Sequence, residues 1–490
     1  MNILLDRKSS KPIYLQIRDR ISRLIKSGAL QTGERLPSIR SLAEKLQVNK
    51  LTILEAYSIL EADGVVFARQ GSGYFINQKN LLSTNMKSTF APAQNVIIPD
   101  GVGSSFFEVH VSAIKAQNQA GMINLSYGLP RPPQDIGLIG RRALNKSVDN
   151  LFAYDLPQGN LTLRRQVAQM LVQKGLEVTS ENLIITNGSE QALSLAMNYY
   201  LQRDDWVIVE APTYHGAIAL LENIGAKIIG IPMNAEGINL ELLEKYLESH
   251  RPKLIYTIST LHNPTAITTT QSHRQQLLAL AEKYQCPILE DNAYEGLNFD
   301  IETENELESV PPPIKAIDKQ DLVNYIGTFS KTLIPGLRVG YIVVTGDKYQ
   351  ALLEQKLLND VHTSNFSQAI VSEYLASGHY RRHRKKLQSE NLLSLNIMLQ
   401  AMEGYFPEEA KWTVPQGGLF LWVQLPEKIS IAEIRSQAVK ENVLFASGSA
   451  FFPNKQGYPA MRLSFSNVSE SEIDLSVSIL GRLLKKYLEK

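Results

Sequence analysis

Short apolar runs alternate with stretches of helical periodicity from residue 183 to residue 326, and no other feature narrows the possible folds as much. Residues 183–186, 206–209, 227–231, 254–257, 287–290 and 323–326 are rich in Ile, Leu and Val and read as strands, with helices over 190–201 and 217–223 between the first of them. Strands that alternate with helices pack as a mainly parallel sheet, an α/β domain. Ligands of such sheets sit beyond the carboxyl ends of the strands. Polar residues gather at those ends here, among them Ser189, Tyr214, Asn263, Asp291 and Lys331.

At 490 residues the chain exceeds one ordinary domain, since a domain takes roughly 150 residues. A hydrophobic fraction of 44% excludes a mainly disordered chain. The net charge of +1 hides a division: residues 1–80 carry thirteen Lys+Arg against seven Asp+Glu, a net of +6, and the rest a net of −5. A compact basic segment ahead of a mildly acidic body suggests a head that binds a polyanion. The single cysteine, Cys286, cannot close an intramolecular disulfide, so no oxidising compartment is needed and the expected location is cytoplasmic. One cysteine and scattered histidines offer no metal cluster. The first residues are charged without an apolar run, unlike a secretory leader, and no stretch approaches the ~20 apolar residues of a membrane span.

The basic segment has its own pattern. Ile13, Ile17, Ile21, Leu24 and Ile25 repeat at helical spacing over 12–27, and Gly28 stops the helix. Ser38 can cap a short helix carrying Ile39, Leu42, Ala43 and Leu46. Asn49 can cap another, running to about residue 62 with Ile53, Tyr57 and Leu60 on one face. Two β-like runs, 65–68 and 74–76, flank a turn with a basic edge at 69–73. Three helices and a hairpin make a small α+β unit, a winged helix-turn-helix. Such a unit enters the major groove by the N-terminal end of its recognition helix. Asn49, Lys50 and Thr52 stand at that end and can meet base edges or phosphates. Arg35 and Arg40 are placed to hold the backbone, and Gly71 lets the wing approach the sugar-phosphate wall.

The run Gly33-Glu34-Arg35-Leu36-Pro37-Ser38-Ile39-Arg40-Ser41-Leu42-Ala43, followed by Val48-Asn49-Lys50-Leu51-Thr52-Ile53 and Gly71-Ser72-Gly73, resembles the DNA-binding domain of GntR-family bacterial repressors. The resemblance covers residues 12–76 and implies a double-stranded DNA operator as partner. The family usually has Arg where this chain has Lys50, and lysine lacks arginine's planar fork. Residues 81–120, with frequent Ser, Asn, Gln and Pro, fit no regular element and read as a linker. The head is therefore residues 1–80 and the body residues 121–490.

In the body, Thr328, Ser330, Lys331 and Arg338 fall within residues 327–341. Schiff-base chemistry needs an amine, and a phosphate anchor needs hydroxyls and a permanent cation. This run resembles the pyridoxal-phosphate lysine motif of class I aminotransferases. The resemblance implies pyridoxal 5'-phosphate (PLP) held as a Schiff base by Lys331, with Asp291 at the pyridinium nitrogen. Tyr294 and Asn263 would bond the phenolic oxygen, and Tyr214 would stack on the ring. Gly188, Ser189 and Glu190 open a helix whose amides favour the phosphate. Arg462 would clamp a substrate α-carboxylate, and Tyr154 would reach the phosphate of the neighbouring subunit's cofactor. The resemblance covers about residues 123–485. It implies the PLP-dependent transferase fold type I, with a large part at about 150–370 and a small C-terminal α/β part at about 371–490, in a head-to-tail homodimer. Ala266 stands where the family has glycine; alanine resists positive φ, so the turn beneath Asn263 is expected to be shifted.

A GntR-like head on an aminotransferase-like body resembles the layout of MocR/GabR-type transcriptional regulators. That layout implies a regulator that senses an amino compound, or PLP itself. The complete residue set keeps a second reading open: an active PLP-dependent aminotransferase with an accessory DNA-binding head.

Overall fold

The computed structural model describes residues 5, 12–26, 30, 33–62, 65–69, 73–76, 95–99, 106–151, 153–299, 310–454 and 458–489. The chain forms two compact units, Met1–Asn85 and Met86–Lys490.

The first unit is a winged helix-turn-helix. Helices Ile13–Lys26, Ile39–Leu46 and Lys50–Ala62 precede a hairpin of Val66–Arg69 and Gly73–Ile76. Local chemistry sets these boundaries. Ser38 caps the second helix by accepting from Ser41 N, and Asn49 Oδ1 accepts from Leu51 N at 3.0 Å to open the third. The apolar faces of all three converge: Ile17, Ile21, Leu42, Ile53, Tyr57 and Leu60 are buried with Val66 and Ile76. The Tyr57 hydroxyl donates to Pro37 O at 2.9 Å, tying the third helix to the turn before the second.

The second unit is built on an eight-stranded sheet. Its order is Leu183–Thr186, Gly340–Val343, Val323–Thr328, Ile288–Asp291, Leu254–Thr257, Trp206–Ala211, Lys227–Asn234, Gly237–Ile238. Neighbouring strands are parallel except Gly340–Val343, antiparallel to both neighbours, and the edge pair at Gly237–Ile238. The central strands are buried along their whole length, as a sheet covered on both faces requires. A smaller antiparallel sheet joins Lys411–Trp412, Phe420–Gln424, Ala460–Ser464 and Ala446–Ser447, flanked by the long helix His379–Tyr405 and by Glu470–Leu488. No described helix is long and apolar enough to cross a membrane.

The segment read as a featureless linker is structured in part. Ile97 pairs with Gly230 by two backbone hydrogen bonds of 2.7–2.8 Å, and Phe106–Gln117 is a helix. Asn124 Nδ2 donates to Ala113 O and Arg435 Nη2 to Ser112 Oγ, which dock that helix on the second unit. The polar stretch ahead of it hid it, together with the lack of a strong apolar period in its own largely apolar sequence; tertiary contacts hold it.

Candidate functional site

The strand ends deliver the site. Asp291 and Thr328 are the last residues of their strands, and Gly188 and Tyr214 follow closely on theirs. Arg462 arrives differently, from the smaller antiparallel sheet rather than from the end of a parallel strand.

Lys331 Nζ donates to Gly128 O at 3.0 Å and lies over the rings of Tyr127 and Tyr294, at 5.5 and 5.8 Å. Burial, reinforced by the charge of Arg462 and offset by that of Glu190, pushes its amine down to about 8. Asp291 is buried; its carboxylate accepts from Tyr256 OH at 2.9 Å and Ala293 N at 3.1 Å, yet burial still pushes its carboxyl up to about 7. An acid so raised favours a cation beside it.

At the other end Arg338 Nη1 donates to Ser330 Oγ at 3.2 Å and its Nη2 to Asn187 O at 3.4 Å. Thr328 Oγ1 accepts from Ser330 N at 3.1 Å and fixes the turn into Lys331. Gly188 opens the helix Gly188–Tyr200 with φ +75, and a Cβ there would lie 2.4 Å from Arg338 Nη2. Asn187 makes no side-chain cap, its amide going instead to Asp360 Oδ2, so the first amides of the helix remain open to an anion. The Glu190 carboxylate accepts from Tyr214 OH at 2.5 Å, which leaves the backbone of 188–190, rather than this side chain, as the anion cradle.

Arg462 is buried between the rings of Phe420 and Phe451. It donates to Asn263 Oδ1 at 2.7 Å and Ser126 O at 2.6 Å; its buried Nε has no hydrogen-bond partner among the described residues. Asn263 Nδ2 in turn donates to Tyr294 OH at 3.2 Å. The turn beneath Asn263 takes the backbone conformation that alanine resists. Ala266 itself takes φ +60, with its N–H on His262 O. His262 braces the turn, its Nδ1 2.8 Å from Thr265 Oγ1 and its Nε2 3.1 Å from Glu210 Oε2.

Twelve of the sequence-derived body residues are therefore brought around one site, with Lys331, Asp291 and Arg462 at its centre. Tyr154 stands apart, 88% exposed and edge-on to His362. Sequence reasoning missed Tyr127, Gly128 and Tyr256, which no local pattern distinguishes from core. It also missed His110, on the helix within the presumed linker, whose ring meets Tyr127 at 5.5 Å.

In the head, Arg35, Arg40, Asn49 and Lys50 are exposed and Thr52 is half-buried. The Arg35 guanidinium lies against Gly73 of the wing. Asn49 spends its carbonyl on the helix cap, which leaves only its amide nitrogen as a donor. Leu51, 69% exposed, adds an apolar group at the same helix end. Gly71 lies outside the described residues.

Residues 120–480 match the family model "Aminotransferase class I and II". The chain belongs to that family. Residues 13–76 also match the bacterial regulatory proteins of the gntR family, so this aminotransferase-family body carries a gntR head, the MocR-like architecture. The chain is similar along its length to the uncharacterised HTH-type transcriptional regulator YdfD of Bacillus subtilis, 31% identical over 98% of each chain. It is also similar to aromatic-amino-acid aminotransferase 1 of Thermococcus litoralis, 33% identical over 77% of this chain and 91% of that one. Among solved structures, a Pyrococcus horikoshii kynurenine aminotransferase in complex with PMP matches with TM-score 0.73 and 31% identity, over 78% of this chain and 95% of the other.

Class I aminotransferase-fold relatives bind PLP or its derivatives. The residues present in this member of the family fit that group. A buried amine of lowered pKa, a buried carboxyl with no ion-pair partner among the described residues, an open helix N-terminus with an arginine, and a buried guanidinium with a spare donor answer to its aldehyde, ring nitrogen, phosphate and a bound carboxylate.

Proposed function

We propose that this protein is a DNA-binding transcriptional regulator whose body holds PLP on Lys331 and responds to an amino compound or to PLP itself. The observation that carries the reading is that one chain joins an exposed recognition-helix end to the cage around Lys331. Lys331 would hold the cofactor through its amine, Asp291 would balance the charge of the ring nitrogen, and Asn263 and Tyr294 would bond the ring oxygen. Tyr214 would cover the ring, while Ser330, Arg338 and the amides of 188–190 would hold the phosphate. When bound, PLP supplies an electron sink that acidifies the α-carbon of an amino compound. Arg462 would orient that compound by its carboxylate, and the Lys331 amine, at about 8, is suited to moving a proton near neutral pH.

Regulation would work by linkage: a compound that prefers one body state shifts the DNA-binding equilibrium by no more than its differential affinity. Exposed Tyr154, Leu156, Leu358, Val361 and Phe366 support a second copy as partner, since Tyr154 packs on His362 and Asn365 Nδ2 donates to Ala153 O, which brings the two segments together. In a head-to-tail homodimer Tyr154 would complete the partner's phosphate site. The complete catalytic set also supports the second reading, a turning-over aminotransferase. The test loads the protein with PLP and adds mixed amino acids and a keto-acid acceptor. The visible spectrum, keto-acid product and DNA affinity are then followed. A spectral shift without turnover, accompanied by altered DNA affinity, is expected for the regulator. Sustained product with unchanged DNA affinity would replace it by the enzyme.

A further inference from the structure

The longest helix, His379–Tyr405, begins with an unusual concentration of bases. His379, Arg381, Arg382, His383, Arg384, Lys385 and Lys386 fall in its first eight residues, and the first acid is Glu390. Tyr380, His383 and Leu387 are buried and form the inward stripe, whereas Arg381, Arg382, Lys385 and Lys386 are exposed. At 3.6 residues per turn these four span an arc of about 140° on one face.

Among the described residues, folding does not account for this face. The first turn is the positive end of the helix dipole, where cations are disfavoured. Arg381 with Lys385, and Arg382 with Lys386, are like charges four residues apart, which also weaken a helix. Of the four, only Lys386 has an acidic partner among the described residues, Glu390 at 3.8 Å, and Glu390 also lies 3.8 Å from Arg131. Nor is the face a by-product of a basic body, because residues 81–490 carry a net charge of −5.

We propose that this face of the body binds the phosphate backbone of duplex DNA, adding sequence-independent contacts to those of the head. The inference rests on the DNA-binding reading above. Charge complementarity selects the occupant: each exposed cation that neutralises a phosphate releases a counterion, and the gain appears in the salt dependence of binding.

The test uses the full-length protein and a duplex of arbitrary sequence, roughly 80 base pairs long, with affinity measured across a salt series. The variant Arg381→Gln/Arg382→Gln/Lys385→Gln/Lys386→Gln is compared with Lys245→Gln/Lys253→Gln/Lys411→Gln/Lys440→Gln, whose replaced lysines are also exposed and which loses the same charge. In the first, the slope of log K against log salt should fall by about 3 to 4, and affinity at low salt should fall about tenfold or more. The second should stay near the wild type, and so should Arg381→Lys/Arg382→Lys, which keeps the charge. Equal slopes and affinities in the two glutamine variants would overturn the proposal while leaving the DNA-binding reading intact. A wild-type protein that binds no duplex would overturn both.

Discussion

Lys331 is the residue on which most of the chemistry turns. Only its neutral amine can attack an aldehyde, and burial holds its pKa at about 8. The rate of PLP capture should therefore rise about tenfold per pH unit below that value and level off above it. Following capture by absorbance checks this, and a rate that keeps rising about tenfold per unit from pH 8 to 10 would speak against the lowered pKa. The charge of Arg462 is the second cause of the shift, so Arg462→Gln should move the inflection to higher pH. Lys331→Ala should abolish the adduct trapped by borohydride; an adduct of unchanged mass would place the attachment elsewhere. At this scale the sequence was most informative where a residue's chemistry is unusual for its place: a lysine after a buried strand, an Asp ending one. It was silent on Tyr127 and Gly128, which matter only because the folded chain brings them to Lys331 from some 200 residues away.

Among the elements, the start of the helix Gly188–Tyr200 carries the sharpest steric demand. A methyl group at Gly188 would meet Arg338 at 2.4 Å and would also face a φ of +75. Gly188→Ala should displace Arg338 and weaken PLP affinity about tenfold or more, roughly 1.4 kcal/mol, as a fluorescence titration would show; unchanged affinity would remove this helix end from the phosphate site. The strands around it were legible because parallel strands buried on both faces read as plain apolar runs. Gly340–Val343 was not read as a strand, since it begins inside the lysine motif and pairs with Leu183–Thr186 far along the chain. Ala266 takes positive φ against its local propensity. Forcing an L-residue to positive φ costs roughly 1–2 kcal/mol, and the His262 brace and the burial of Ala266 beside Leu261, Tyr294 and Leu297 outweigh it.

For the whole molecule, two separately folded units must exchange free energy if the protein is to sense anything. Arg40→Ala should weaken DNA binding and lower the salt slope by about 1, while leaving PLP capture unchanged, because Arg40 belongs to the first unit. Loss of both functions would mean that the substitution unfolds more than the head. Chain order has a further consequence. The last described strand of the head ends at Ile76, whereas Gly340 pairs with both Thr186 and Thr328 and so stitches the strand before the helix Gly188–Tyr200 to the strand before Lys331. On the ribosome the head emerges about 260 residues before that stitch, and domains fold as they appear. Each new molecule thus acquires its grip on nucleic acid well before it can receive a signal.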